Sequence, residues 1–273
     1  MNELVNTLNG LVWSPALIYL CLGVGLYFSL RGRFLQVRHF KEMIRLMFTG
    51  RTDEHGITSF QALTMTLAGR VGTGNIAGVA TAITFGGPGA VFWMWMVAFL
   101  GASSAFVEST LGQVYKEKLD GQYRGGPAFY IEKGLGIKWF AWAFAIVTIF
   151  ACGLLLPGVQ ANSIASSVQT AFDVHPNTTA AILAIMLGLI IFGGVKRIAR
   201  FAEFVVPFMA LGYILVACVI VMLNIEKLPE VITLIFKSAF GLDAGFGAIL
   251  GLAIMWGVKR GVYSNEAGQG TGP

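Results

Sequence analysis

Long apolar runs separated by short charged stretches organise the whole chain. Residues 11–30, 139–172 and 176–195 carry no charge, 57–85 carry only Arg70, 86–115 only Glu108, and 201–224 only Glu203. A further run, 244–258, stays uncharged up to Lys259 and Arg260. A helix needs about 20 apolar residues to cross the bilayer core, so the pattern predicts six spans and a seventh close to the end of the sequence. The 139–172 run would extend about 50 Å as a straight helix, so a bend or a partly interfacial segment is expected, with Pro157 as its natural place.

One run is interrupted from within. "GRVGTGNIAG", residues 69–78, places Arg70, Thr73, Asn75 and four glycines in the middle of 57–85. Glycine weakens a helix by about 1 kcal/mol relative to alanine. Non-helical backbone at membrane depth is tolerated only where it is buried in protein or lines a cavity. Freed N–H groups of the following half-helix can receive an anionic group, and freed carbonyls can coordinate Na⁺. The stretch therefore predicts a broken helix in which Gly72, Thr73, Gly74 and Asn75 receive a ligand. Close packing of small residues, Gly74 and Gly78 being four apart, is the competing explanation for the glycines, but not for Arg70 and Asn75. "GTGNIA", residues 72–77, also fits a dinucleotide fingerprint, which requires a preceding strand that a membrane helix does not supply.

Charge adds orientation. The chain is 56% hydrophobic and 12% charged, with 35 glycines in 273 residues and a net charge of +5. An ordinary soluble domain is about 25% charged. Residues 31–56 carry six Lys/Arg, 116–138 five, and "KRIAR" at 196–200 three, while the loops around 86–89 and 171–177 carry none. Alternating basic loops place these three on the cytoplasmic side and the N-terminus outside. The leader "MNELVNTLNG" is acidic and Arg31, Arg33 and Arg38 follow the first run, the reverse of a signal peptide. The positive charge thus reports membrane orientation, and no nucleic-acid partner is expected. Cys21, Cys152 and Cys218 fall inside runs, so neither a disulfide nor a metal framework is expected; no resident cofactor is expected either.

A second polar, glycine-rich cluster, "KRGVYSNEAGQGTGP" at residues 259–273, repeats the combination of Arg, Gly-x-Gly, Thr and Asn beside an apolar run. By the order of spans it lies on a helix running opposite to the first. Two such interrupted segments in oppositely oriented halves point to an inverted-repeat transporter. The alternative is the cytoplasmic end of a helix with its loop. Among the other polar residues, Gln160 and Asn162 fall mid-span, where interhelical hydrogen bonding is the simpler use. Arg70, Glu108 and Glu266 are ionisable groups at or near the membrane, which face cavities or pair; with Asn265 they are candidates for ion binding or gating. Trp93 and Trp95 are expected in an interfacial belt or packing surface. His39, His55 and His175 lie in loops, away from any intramembrane relay. "GASS", residues 101–104, raises an intramembrane serine hydrolase, but no span holds a histidine to act as base. A channel is the closer rival, since broken helices also build pores.

"GGPGAVFWMWMVAFLG" at residues 86–101 resembles the signature of the alanine-or-glycine:cation symporter family, the sodium:alanine symporters. "GTGNIAGVATAI" and "WGVKRGVYSNEAGQGTGP" are similar to further characteristic stretches of that family, and the resemblance covers essentially the whole chain. It implies an all-α multi-span membrane protein with the leucine-transporter-like inverted-repeat fold and one extra N-terminal helix. On that basis residues 1–56 are the extra transmembrane helix and basic loop, 57–224 the first five-helix repeat, and 225–273 an extracellular loop and the start of the second repeat. The family's members are longer, so the chain corresponds to their N-terminal portion, its fold truncated in the second repeat; an inactive fragment or an interaction subunit is the matching alternative. The implied activity is Na⁺-coupled uptake of alanine or glycine across the plasma membrane of a prokaryote, the inner membrane if Gram-negative. The fold places the third helix of the first repeat beside the broken helix, which makes Gln160 a candidate donor to a substrate carboxylate.

Overall fold

The computed structural model describes residues 2–49, 56–119, 121–241 and 247–272. Arg51 and His55 of the predicted basic loop, the first residues of the 244–258 run, and Pro273 lie outside the described residues. In chain order the helices are α1 (Asn2–Val12), α2 (Pro15–Arg31), α3 (Leu35–Arg38), α4 (Phe40–Thr49), α5 (Ser59–Arg70), α6 (Thr73–Gly86) and α7 (Gly89–Val114). A hairpin of β1 (Glu117–Leu119) and β2 (Gln122–Arg124) follows, then α8 (Pro127–Tyr130), α9 (Lys138–Phe150), α10 (Leu156–Phe172), α11 (Pro176–Ile191), α12 (Gly194–Leu223), α13 (Leu228–Phe240) and α14 (Gly247–Asn265).

The apolar runs become helices with three instructive departures. Among the described residues, Thr7–Arg31, Gly89–Val114, Lys138–Phe172 and Gly194–Leu223 are long and apolar enough to cross a membrane, and Pro176–Ile191 is apolar but shorter. The 57–85 run splits into α5 and α6, each too short to span alone. The last run becomes α14, whose second half carries Lys259 and Arg260. The 139–172 run is a single helical stretch with a π-turn at Ala151–Leu155 between α9 and α10. Pro157 has no N–H and its ring crowds the carbonyl four residues back, Gly153, so a widened turn there relieves both defects.

The chain divides into two compact units, the first made of residues 1–43, 74–109 and 214–272 and the second of 44–73 and 110–213. In the first unit α14 packs against α2, α6 and α7. Val258 is fully buried, and it clusters with Ile18 of α2, Val97 of α7 and Val262. Gly257 and Gly261 let α7 approach closely: a Cβ at Gly257 would stand 2.5 Å from the Trp93 Cβ, and one at Gly261 3.2 Å from the Met94 Cα. A buried polar knot ties α2 to α7. Ser29 and Ser103 hydroxyls are 3.0 Å apart, and Ser103 donates to the Gln36 carbonyl at 2.8 Å, so the serine of "GASS" that sits deepest is engaged in interhelical bonding. Helix α13 caps the start of α7, where the Gly89 N–H donates to the Ser238 hydroxyl and the Trp93 indole donates to the Ala239 carbonyl. Trp93 is thus a packing and hydrogen-bonding residue, while Trp95 is half exposed.

In the second unit a capping box starts α5. Thr58 accepts from the Gln61 N–H, and the Gln61 side chain accepts from the Thr58 N–H. The same Gln61 amide donates to Glu203 of α12 at 2.9 Å, which satisfies an in-span carboxylate from the end of another helix. The basic stretch 116–138 is more ordered than a loop: β1 and β2 pair antiparallel with Glu117 opposite Arg124. Lys133 closes on the hairpin through Glu117 at 2.5 Å and the Tyr115 carbonyl at 3.2 Å. Strands of three residues are too short to leave a periodic signal, and the Asp120-Gly121 pair is the cue that marks them.

Candidate functional site

The predicted break is present and two residues wide. Val71 has φ −105 and ψ 94, outside the helical region, and its N–H closes α5 on the Leu67 carbonyl. Helix α6 restarts at Thr73, so its first N–H groups have no partner within the helix. In the second unit, Gln160 of α10 supplies one. Its side-chain carbonyl accepts from the Thr73 N–H at 3.3 Å and from the Thr73 hydroxyl. A Cβ at Gly72 would come within 3.3 Å of the Gln160 amide nitrogen. Three of the sequence-predicted residues, Gly72, Thr73 and Gln160, therefore meet at one point. Arg70 is the last residue of α5 and is half-buried.

In the first unit the start of α6 meets the end of α14. Gly74, Gly78, Ala82 and Gly86 form a buried stripe of small residues at four-residue spacing. A Cβ at Gly74 would stand 3.1 Å from the Ser264 Cα and 3.3 Å from the Tyr263 ring, and one at Gly86 2.8 Å from the Trp256 Cβ. Because Gly74 faces 263–264 and Gly86 faces 252–256, the two helices run antiparallel. Gly74 thus packs closely against α14 and Gly78 is buried in the same stripe, while the break lies just before the helix at Val71 and Gly72. Asn75, next in the first turn, is half-buried.

The end of α14 folds back on itself through left-handed residues. Glu266, Gly268 and Gly270 have φ of 54, 81 and 75. The Asn265 side chain accepts from the Ala267 N–H at 2.9 Å, and Thr271 donates to Glu266 at 2.9 Å. Glu108 of α7, 7% exposed, accepts from the Gly268 N–H at 3.1 Å with one oxygen and from the Gly270 N–H at 2.9 Å with the other. The structure thereby brings together Glu108 and the segment that follows Asn265 and Glu266. Three buried donors here lack a protein partner among the described residues: the Tyr263 hydroxyl, the Asn265 amide nitrogen and the Arg260 Nε. Buried polar groups are rarely left unpaired, and the three face different neighbours: Tyr263 stands at Gly74, Asn265 at Gly101 and Arg260 over the Trp256 ring. Tyr263 and Ser264 do not stand out in the sequence as site residues. Their position two and one before Asn265, in a helix facing α6, was the available signal.

The whole chain, residues 1–273, matches the model of the Sodium:alanine symporter family. It is 64% identical over its full length to the putative sodium/proton-dependent alanine carrier protein YrbD of Bacillus subtilis, covering 56% of that protein. It is 47% identical to the probable sodium/glutamine symporter GlnT of the same organism, with all of the chain and 58% of the relative aligned. Identity to the sodium/alanine symporter AgcS of Methanococcus maripaludis is 46%, over 99% of the chain and 62% of the relative. The chain thus spans a little over half the length of the curated relatives it matches.

Proposed function

The chain belongs to the sodium:alanine symporter family, and from that premise we propose that it takes part in Na⁺-coupled uptake of alanine or glycine, with the interruption between α5 and α6 as the place where substrate is held. The observation that carries this reading is the Gln160 side chain on Thr73 at the break. A backbone N–H and a hydroxyl at the head of a half-helix form an anion-receiving group, and an amide side chain stands ready to join them. The carboxylate of alanine is received by this group, with Gln160 turning its amide N–H toward it. Gly72, Gly74 and Asn75 complete the substrate residues, the glycines by letting backbone come close and Asn75 by its side-chain oxygen. Na⁺ is the co-transported ion, and Arg70, Glu108, Asn265 and Glu266 serve ion binding or gating.

The inverted-repeat, leucine-transporter-like architecture is part of the same proposal, with residues 57–224 as first repeat and 225–273 opening the second. It is supported by the antiparallel contact of α6 with α14, two helices that each adjoin a glycine-rich interruption. We place the protein in the plasma membrane with the N-terminus outside, on the strength of the alternating basic loops. The test is Na⁺-driven uptake into proteoliposomes of the intact transporter carrying this sequence, offered radiolabelled alanine, glycine and glutamine. Saturable alanine or glycine uptake that needs an inward Na⁺ gradient supports the carrier. Unsaturated flux would make it a channel, and preference for glutamine would move the substrate toward that of GlnT.

A further inference from the structure

The turn that ends α14 is built like an anion receptor, yet its occupant is a side chain of the protein. Gly268 and Gly270 lie in the left-handed region, and alternating left-handed residues aim successive backbone N–H groups into one concavity. Both N–H groups reach the Glu108 carboxylate, one to each oxygen. Glu108 lies in the last third of α7, a helix long and apolar enough to span the membrane. A charge there needs a specific use, and the turn gives it one. The surrounding contacts hold the same segment from other directions: Gln269 donates to the Val262 carbonyl at 3.0 Å, and the Ala267 side chain lies against Gly101.

We propose that Glu108 is a positioning residue, a carboxylate on α7 that latches the left-handed turn after α14 and thereby sets Tyr263 and Ser264 against Gly74 in the first turn of α6. Every contact in this chain of action falls within the first unit. Glu108 acts through the turn and does not touch the substrate, so of the two roles given it above, ion binding or gating, the latch takes the second. The consequence for transport rests on the alanine and Na⁺ reading above, whereas the latch itself does not.

The charge and both oxygens are needed. Glu108→Ala removes both acceptors, and Glu108→Gln keeps one carbonyl but turns an NH₂ toward the other glycine N–H. Hydrogen exchange of the intact transporter in nanodiscs, read by mass spectrometry on peptides covering 266–272, reports the two amides directly. Loss of a charge-assisted bond is expected to speed their exchange roughly tenfold to a hundredfold in Glu108→Ala, with Glu108→Gln between it and the parent. Exchange along α7 and α12 should stay unchanged. Unchanged exchange at 266–272 would overturn the latch, as would acceleration spread over the whole protein, which is the mark of general destabilisation. Should Glu108→Ala fail to fold, Glu108→Gln carries the same comparison.

A cycle with Gly270→Ala then tests the action on transport. Gly270 has φ 75, so alanine strains the turn. If both residues act through one turn, the double variant should lose little more Na⁺-driven alanine uptake than the worse single variant. Losses that multiply would mean that Glu108 acts elsewhere. Absence of uptake in the parent would remove the transport proposal and leave the exchange result standing.

Discussion

At the interruption between α5 and α6 a neutral amide, Gln160, meets the N–H and hydroxyl of Thr73, whereas after α14 a carboxylate, Glu108, takes the N–H groups of Gly268 and Gly270. Both places break regular helix inside or beside an apolar run, and both satisfy freed backbone groups with a side chain from another helix. They differ in strength. A neutral hydrogen bond contributes about 1 kcal/mol net, and one to a charged group about 1.5–3 kcal/mol. The weaker contact is exchangeable for a ligand's own groups at little loss, while the doubly bonded carboxylate holds its turn in one shape. On this account the first interruption is the part that receives, and the second is the part that is held.

The comparison is broken most severely by filling the first turn of α6. Gly74→Leu places a side chain where a Cβ already stands 3.1 Å from the Ser264 Cα. Overpacking of this kind costs about 1–3 kcal/mol or more, and alanine affinity should fall more than about tenfold on that scale while the protein still inserts. Unchanged affinity in a binding assay would return the stripe to a packing role alone. A loss confined to stability is expected at Gln61→Ala, because Glu203 then loses its 2.9 Å donor. Thermal unfolding in detergent should register about 1–2 kcal/mol, with the Na⁺ dependence of transport kept. Asn75→Ala should weaken alanine or Na⁺ binding by less, about fivefold, as suits a neutral polar group. Titrations of each ligand at saturating concentration of the other tell which.

The orientation test involves no loss of function. A cysteine at position 2 should react with an impermeant thiol reagent applied outside, and one at Lys41 only after the membrane is opened. The reverse pattern would invert both half-helices and the polarity of the proposed carboxylate site.

Much of this was legible in the chain itself. The break at Val71–Gly72 was readable because glycine and polar residues interrupt a run that otherwise has no reason to stop being helical. That the long fourth run would depart from regular α-helix near Pro157 was readable, although the form the departure takes, a π-turn just before the proline within one continuous helical stretch, is a matter of backbone geometry. Gln160 stands out in the sequence as a mid-span amide, but only the fold puts it on Thr73, 87 residues away. Glu108 stands out by its charge, and the Gly268 and Gly270 N–H groups it binds are hidden because backbone groups of glycines carry no side-chain signature. Glu203 shows the same limit: the sequence marks the carboxylate, while Gln61 reads as half of an ordinary capping box. Small residues at four-residue spacing announced a close helix contact at Gly74, but not that α14 would supply the other side.

The most direct test is equilibrium binding of radiolabelled alanine to the purified transporter carrying this sequence, in Na⁺ and in choline, for the parent and for Gln160→Ala. The account predicts saturable binding that requires Na⁺ and weakens about tenfold when the amide is removed, the scale of one to two neutral hydrogen bonds. Na⁺-dependent alanine binding that is equally tight without Gln160 would contradict the assignment of the α5–α6 interruption as the substrate site.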